Sequence, residues 1–145
     1  MGASHQPARK RVLFLCTGNS CRSQLAEAIV NARLADQWEA FSAGTHPAGF
    51  VHPIVPQVLA ETGIDSSGAR SKSIDEVLSV DFDLVVTVCD QAAEECPMWL
   101  GRGRRIHVGF PDPAKTTGSD EGILAAFRGV RDSIEQEVLS ILGSR

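Results

Sequence analysis

The sequence predicts an α/β domain of three layers, a four-stranded parallel sheet with helices on both faces. Two observations carry that expectation. Four short runs, Val12–Leu15, Ala40–Ala43, Asp83–Val88 and Ile106–Phe110, are mainly apolar or β-branched, as strands buried on both faces are. Stretches of helical spacing lie between and after them, which is the order a parallel sheet requires.

Val12–Leu15 runs straight into Cys16-Thr-Gly-Asn, so the first strand ends in a loop. From Arg22 to about Leu34, Leu25, Ala28, Ile29 and Ala32 recur at helical spacing. Ala40–Ala43 is a second strand, closed by Gly44. Pro53 and Pro56 mark the start of a helix carrying Ile54, Val58 and Leu59, and Gly63 stops it. Ser73–Leu78 reads as one more short helix. Asp83–Val88 is the most β-branched run in the chain, and Ile106–Phe110 is the fourth strand. The final helix is the plainest. Ser119 is a good N-cap, and Asp120 and Glu121 suit the positive end of the helix dipole. Ile123, Phe127, Val130, Ile134, Val138 and Ile141 then step by three or four along one face.

The 145 residues are the size of one domain. Residues 1–10 read as a disordered leader and 11–145 as a single catalytic domain. Hydrophobic residues at 43% and charged residues at 22% are an ordinary globular balance. A net charge of -4 argues against nucleic acid, which needs a basic footprint. Arg102, Arg104 and Arg105 form the only notable basic cluster and read as a solvated loop. No apolar run approaches the ~20 residues of a membrane span. The first ten residues lack a signal-peptide pattern. The expected location is therefore the cytoplasm, where thiols stay reduced and four cysteines read as catalytic, redox-active or metal-binding. The chain is expected to act as a monomer.

Ligands of open α/β sheets bind beyond the carboxyl ends of the strands. Cys16, Cys89 and Asp112 each lie at or just after such an end, which gathers three distant residues on one edge. The loop Cys16-Thr17-Gly18-Asn19-Ser20-Cys21-Arg22-Ser23 bridges strand and helix and has the makings of an oxyanion cradle. Gly18 and its small polar neighbours let successive N–H groups turn inward. The helix adds its positive end, and Arg22 can offer a tetrahedral oxyanion two charge-assisted hydrogen bonds. That field is expected to depress the pKa of Cys16 and make it a thiolate nucleophile. Cys21 reads first as a packing residue, with a protective disulfide to Cys16 as the alternative.

Cys89 and Cys96 enclose a short, acidic, helix-compatible stretch that Pro97 ends. In a helix they would lie about 10.5 Å apart along the axis. A disulfide needs Cα atoms roughly 4.4–6.8 Å apart, so pairing them requires the segment to unwind. The C-x4-C and C-x6-C spacings are unlike zinc knuckles, and no metal site is expected. Asp112 sits between Phe-Pro and Pro113 on a rigid loop, where it reads either as a general acid or as a turn residue. His46, His52 and His107 share no metal-like spacing and read as structural. Asn19, Ser23 and Ser42 are small polar groups suited to orienting the loop. No glycine-rich dinucleotide fingerprint is present, so no bound cofactor is expected.

Residues 12–27, Phe41-Ser-Ala-Gly-Thr45, Val85-Val-Thr-Val-Cys-Asp90 and Asp112-Pro113 together resemble the thioredoxin-coupled arsenate reductases of the low-molecular-weight tyrosine phosphatase superfamily. The resemblance runs from about Arg11 into the final helix. It implies the flavodoxin-like fold of those phosphatases and reduction of arsenate to arsenite. It also implies roles. Cys16 would attack arsenate held by the amides of Thr17 to Cys21 and by Arg22, with Asp112 protonating the departing oxygen. Cys89 and then Cys96 would resolve the adduct, and reduced thioredoxin would supply the electrons. Phosphate and sulfate would compete as oxyanions. Some such reductases hold a potassium ion with Asn, Glu, Ser and Asp. Asn19, Glu27 and Ser42 match, but the Asp position is Lys72, whose ammonium is expected to replace the cation. The runner-up is a low-molecular-weight tyrosine phosphatase. Against it stand Gln24 in place of the usual Pro, Ala114 and Lys115 in place of aromatic residues, and the second cysteine pair. A non-enzymatic thiol or zinc sensor is a third reading. Glutaredoxin with glutathione, or mycothiol, are alternative reductants.

Overall fold

The computed structural model describes residues 9–89 and 104–143. Within them β1 (Lys10–Cys16), α1 (Arg22–Arg33), β2 (Trp38–Gly44), α2 (Ile54–Ala60), β3 (Leu84–Thr87), β4 (Arg104–His107) and α3 (Asp120–Gly143) follow one another. Single turns of 3-10 helix occupy Ile74–Val77 and Pro113–Lys115. The four strands form one sheet in the order β2-β1-β3-β4, and every pair is parallel. Central β1 is buried from Val12 through Cys16, so neighbouring side chains on opposite faces are both covered. This is the expected three-layer α/β architecture. β1 begins at Lys10, a residue expected in the leader, because its N–H reaches the Gln37 carbonyl and it pairs with Trp38.

Helix α1 lies against β1 and β2 on one side and α3 on another, while α2 packs on α3. Enclosure on two sides widens its buried arc. Leu25 and Ile29 are buried as expected and Ala28 packs half-buried against the core, while Ala26 and Val30, outside the expected stripe, are buried as well. Ala32 is exposed. Ser119 caps α3 through its hydroxyl, which accepts from the Gly122 N–H at 3.0 Å. At the far end Leu142, not Ile141, turns inward, and its carbonyl accepts from the Trp38 indole at 3.2 Å. Ser73 caps the 3-10 turn that takes the place of the short helix expected over Ser73–Leu78.

Arg104 and Arg105 belong to β4 rather than to a loop. An edge strand needs only one hydrogen-bonded neighbour and can keep charged side chains in water, as both do. Arg102, Cys96 and the stretch between Cys89 and Cys96 lie outside the described residues. Among the described residues no helix is long and apolar enough to cross a membrane.

Candidate active site

The sheet places the cysteines by register. Leu15 pairs with Thr87, and the Val88 N–H continues the ladder to the Leu15 carbonyl at 2.9 Å. Cys16 and Cys89 therefore emerge side by side from neighbouring strands. The Phe110 N–H bonds the Val88 carbonyl at 3.2 Å and brings the chain leading to Asp112 to the same edge.

Every carbonyl from Cys16 to Cys21 is drawn outward. Thr45, His46, Ala48 and His52 donate their N–H groups to the carbonyls of Cys16, Thr17, Gly18 and Ser20 at 2.8–3.2 Å. The Gln24 amide takes the Asn19 carbonyl at 3.1 Å, and the Leu25 N–H takes that of Cys21 at 2.9 Å. A planar peptide whose carbonyl points one way turns its N–H the other, so these bonds shape an anion-binding concavity. Asn19 adopts the left-handed conformation, φ 51°, and its N–H reaches the Cys16 sulfur at 3.1 Å. Gly44 ends β2 directly behind the loop. A Cβ there would lie 2.5 Å from the Thr17 carbonyl oxygen and 3.1 Å from Asn19.

Cys16 is 3% exposed. Burial pushes its thiol above the ordinary value, and the neighbouring Cys89 adds to that. Bonds from Ser23, whose hydroxyl lies 2.7 Å from the sulfur, and from the Asn19 N–H pull it back. The expected depression of this pKa is thus corrected: desolvation of a buried thiolate outweighs the local donors. Arg22 is turned elsewhere, donating to the Phe110 carbonyl at 3.1 Å and facing the Asp112 carboxylate at 3.6 Å. Asp112 is itself pinned, because its Oδ1 accepts from the Ala114 N–H at 3.0 Å in the 3-10 turn. Cys89 lies 3.3 Å from the Thr17 hydroxyl. Cys21 is buried, its thiol pushed by desolvation up to about 11, which suits a packing residue.

Behind the loop, the Asn19 side chain bonds the Ser23 hydroxyl at 2.8 Å and accepts from the Lys72 N–H at 2.8 Å. The Lys72 ammonium lies 3.2 Å from the Arg70 carbonyl, 3.5 Å from Ser42 Oγ and 3.7 Å from Glu27 Oε1. Ser42 in turn donates to Glu27. Asn19, Ser23, Glu27, Ser42 and Lys72 therefore form one connected group. His52 is structural: its Nδ1 accepts from the Ile54 N–H at 3.2 Å, and its ring lies 4.7 Å from that of Phe127. Sequence reasoning missed Gln24, Gly44 and the 45–52 segment that backs the loop. Gln24 left one faint signal, a polar residue in the buried stripe of α1; the 45–52 segment left none, because it acts through its backbone. Among the described residues no group of three or more His, Cys, Asp or Glu is arranged to hold a metal ion.

The Cys16 loop thus lies between β1 and α1, with Asp112 brought to it from beyond β4. Residues 11–144 match the family described as low molecular weight phosphotyrosine protein phosphatase. The chain belongs to this family. Among its relatives, the arsenate reductase of Halalkalibacterium halodurans is 46% identical over 130 residues, 90% of this chain and 93% of that protein. An arsenate reductase solved in a phosphate-binding state superposes with a TM-score of 0.80 at 30% identity, covering 92% of this chain and 97% of the other. A Corynebacterium glutamicum thioredoxin-dependent arsenate reductase gives a TM-score of 0.69 at 28% identity, covering 94% of this chain and 64% of the other.

Proposed function

We propose that this chain is a cytoplasmic arsenate reductase serving arsenic detoxification, recycled by thioredoxin. The observation that carries the reading is a second thiol, Cys89, just past the end of β3 beside the nucleophile loop, in contact with Thr17 of that loop. Phosphoryl transfer has no use for a second thiol. A redox reaction needs one.

In this reading the Cys16 thiolate attacks the arsenic of arsenate, held by the loop amides and Arg22. Asp112 gives its proton to the departing oxygen, which leaves as water. Cys89 then attacks the Cys16 sulfur. The S–As bonding pair stays on arsenic, which leaves as arsenite, and a Cys16–Cys89 disulfide remains. Cys96 attacks Cys89 and frees Cys16, and thioredoxin returns two electrons to the Cys89–Cys96 disulfide. The Lys72 ammonium takes the place of a resident cation, neutralising Glu27 from within the chain.

The test is arsenite formation from arsenate with thioredoxin, thioredoxin reductase and NADPH, for wild type and Cys96→Ser. Turnover in the wild type and at most one round in the variant is the expected result. Wild-type inactivity with intact aryl phosphate hydrolysis would instead establish a phosphatase, the reading favoured by the Cys16, Arg22 and Asp112 set alone.

A further inference from the structure

Gln24 occupies the first turn of α1 and is 2% exposed, a position where helices of this kind normally carry an apolar residue. Its amide nitrogen faces three oxygens: the Asn19 side-chain Oδ1 at 3.0 Å, the Asn19 carbonyl at 3.1 Å and the Arg70 carbonyl at 2.9 Å. Two hydrogens serve three acceptors, so one is shared. The other end of the amide, Oε1, is buried without a partner among the described residues. An apolar side chain of the same length would avoid that unpaired oxygen, so packing alone gives no reason for glutamine here.

Asn19, the residue it grips, holds the only positive φ among the described non-glycine residues. Asparagine adopts left-handed backbone more readily than other residues with a Cβ, yet the right-handed and extended regions remain open to it, so its neighbours decide which it keeps. The Asn19 N–H in that conformation meets the Cys16 sulfur at 3.1 Å. Rotation out of it would carry the N–H away from the sulfur.

We propose that Gln24 is a positioning residue of the nucleophile loop: by donating to both oxygens of Asn19 it holds that residue's left-handed backbone and so aims the Asn19 N–H at Cys16. The same amide ties the loop to Arg70, whose carbonyl also receives the Lys72 ammonium, so α1 and the 70–72 segment grip the loop together. The inference rests on Cys16 being the nucleophile. It assigns to a residue that touches no reacting atom the job of stabilising the thiolate.

The experiment is the pH profile of Cys16 alkylation by iodoacetamide, read by mass spectrometry with fragment ions separating Cys16 from Cys21. In Gln24→Met the thiolate loses a donor, so alkylation at neutral pH slows by about tenfold, while the high-pH plateau is unchanged. In an Asn19→Gly background, where the backbone takes positive φ without help, the same substitution should change the rate by less than about twofold. An unaltered profile in Gln24→Met, or an equal slowing in both backgrounds, overturns the proposal and leaves Gln24 as a core residue. If Gln24→Met does not fold, Gln24→Ala removes the same donors without adding charge or bulk, and the same slowing or its absence decides. The readout uses no arsenate. Arsenate turnover surviving in Cys16→Ser would remove the nucleophile reading separately, with the Gln24–Cys16 coupling still measured.

Discussion

Gly44 shows how little room the nucleophile loop leaves behind it. Its missing Cβ is what allows the end of β2 to touch Thr17 and Asn19, since the added carbon would sit 2.5 Å from a backbone oxygen that cannot swing away. Gly44→Ala should therefore lower stability by about 1–3 kcal/mol, the usual range for overpacking, and reduce arsenate turnover by displacing the loop. Thermal unfolding and steady-state kinetics read both; a variant matching wild type in each would show that the loop yields freely. At this scale the sequence was informative wherever a residue's chemistry is unusual. That Cys16, Arg22 and Asp112 would meet at one edge was legible from their positions at or beyond strand ends, and the structure brings Arg22 within 3.6 Å of Asp112 beside the Cys16 loop. Gln24 and Gly44 were not legible in this way, because their roles lie in what they touch.

At the scale of elements, the nucleophile loop is held between α1 and two backbone segments, 45–52 on one side and 70–72 on the other. Lys72 is the charged member of that frame. Its ammonium lies against Glu27, Ser42 and the Arg70 carbonyl, and in the proposed reading it stands in for an added cation. Wild-type turnover should accordingly be the same within about twofold in potassium and in sodium at equal ionic strength. Lys72→Met leaves Glu27 without its counter-charge and should slow turnover, with potassium restoring part of the loss. A strong, specific potassium activation of the wild type would end this account. The strands and helices themselves were legible from periodicity, but their faces were legible only in part. α1 is enclosed by both the sheet and α3, so Ala26 and Val30 are buried beside Leu25 and Ile29, while Ala32 at the end of the expected stripe is exposed.

For the molecule as a whole, α2 and α3 are joined by a clamp of charges. Glu61, at the end of α2, accepts from Arg128 at 2.7 Å and from Arg131 at 2.8 Å, and Arg131 also donates to the Val58 carbonyl at 2.8 Å. The Arg128 guanidinium, with Arg131, holds the Glu61 carboxyl down to about 2. Its folded value lies below its unfolded value near 4.5, so its contribution to stability is fully present above that point. The contribution is lost as pH falls toward about 2. Denaturant midpoints of wild type and Glu61→Gln should differ most at pH 6, draw together below about pH 4.5 and converge only as pH falls through about 2. A difference independent of pH would mean that the clamp acts by shape rather than by charge.

The sequence by itself determined the class of the fold, the order of its strands and helices, and which residues stand at the strand ends. These depend on short-range pattern: mainly apolar runs and a capped helix. Only the tertiary structure decided what surrounds Cys16. Burial raises the Cys16 thiol instead of lowering it, Arg22 turns to Phe110 and Asp112, and the 45–52 segment draws the loop carbonyls outward. Each of these is set by desolvation or by partners distant in the chain, and neither quantity is written in the spacing of residues.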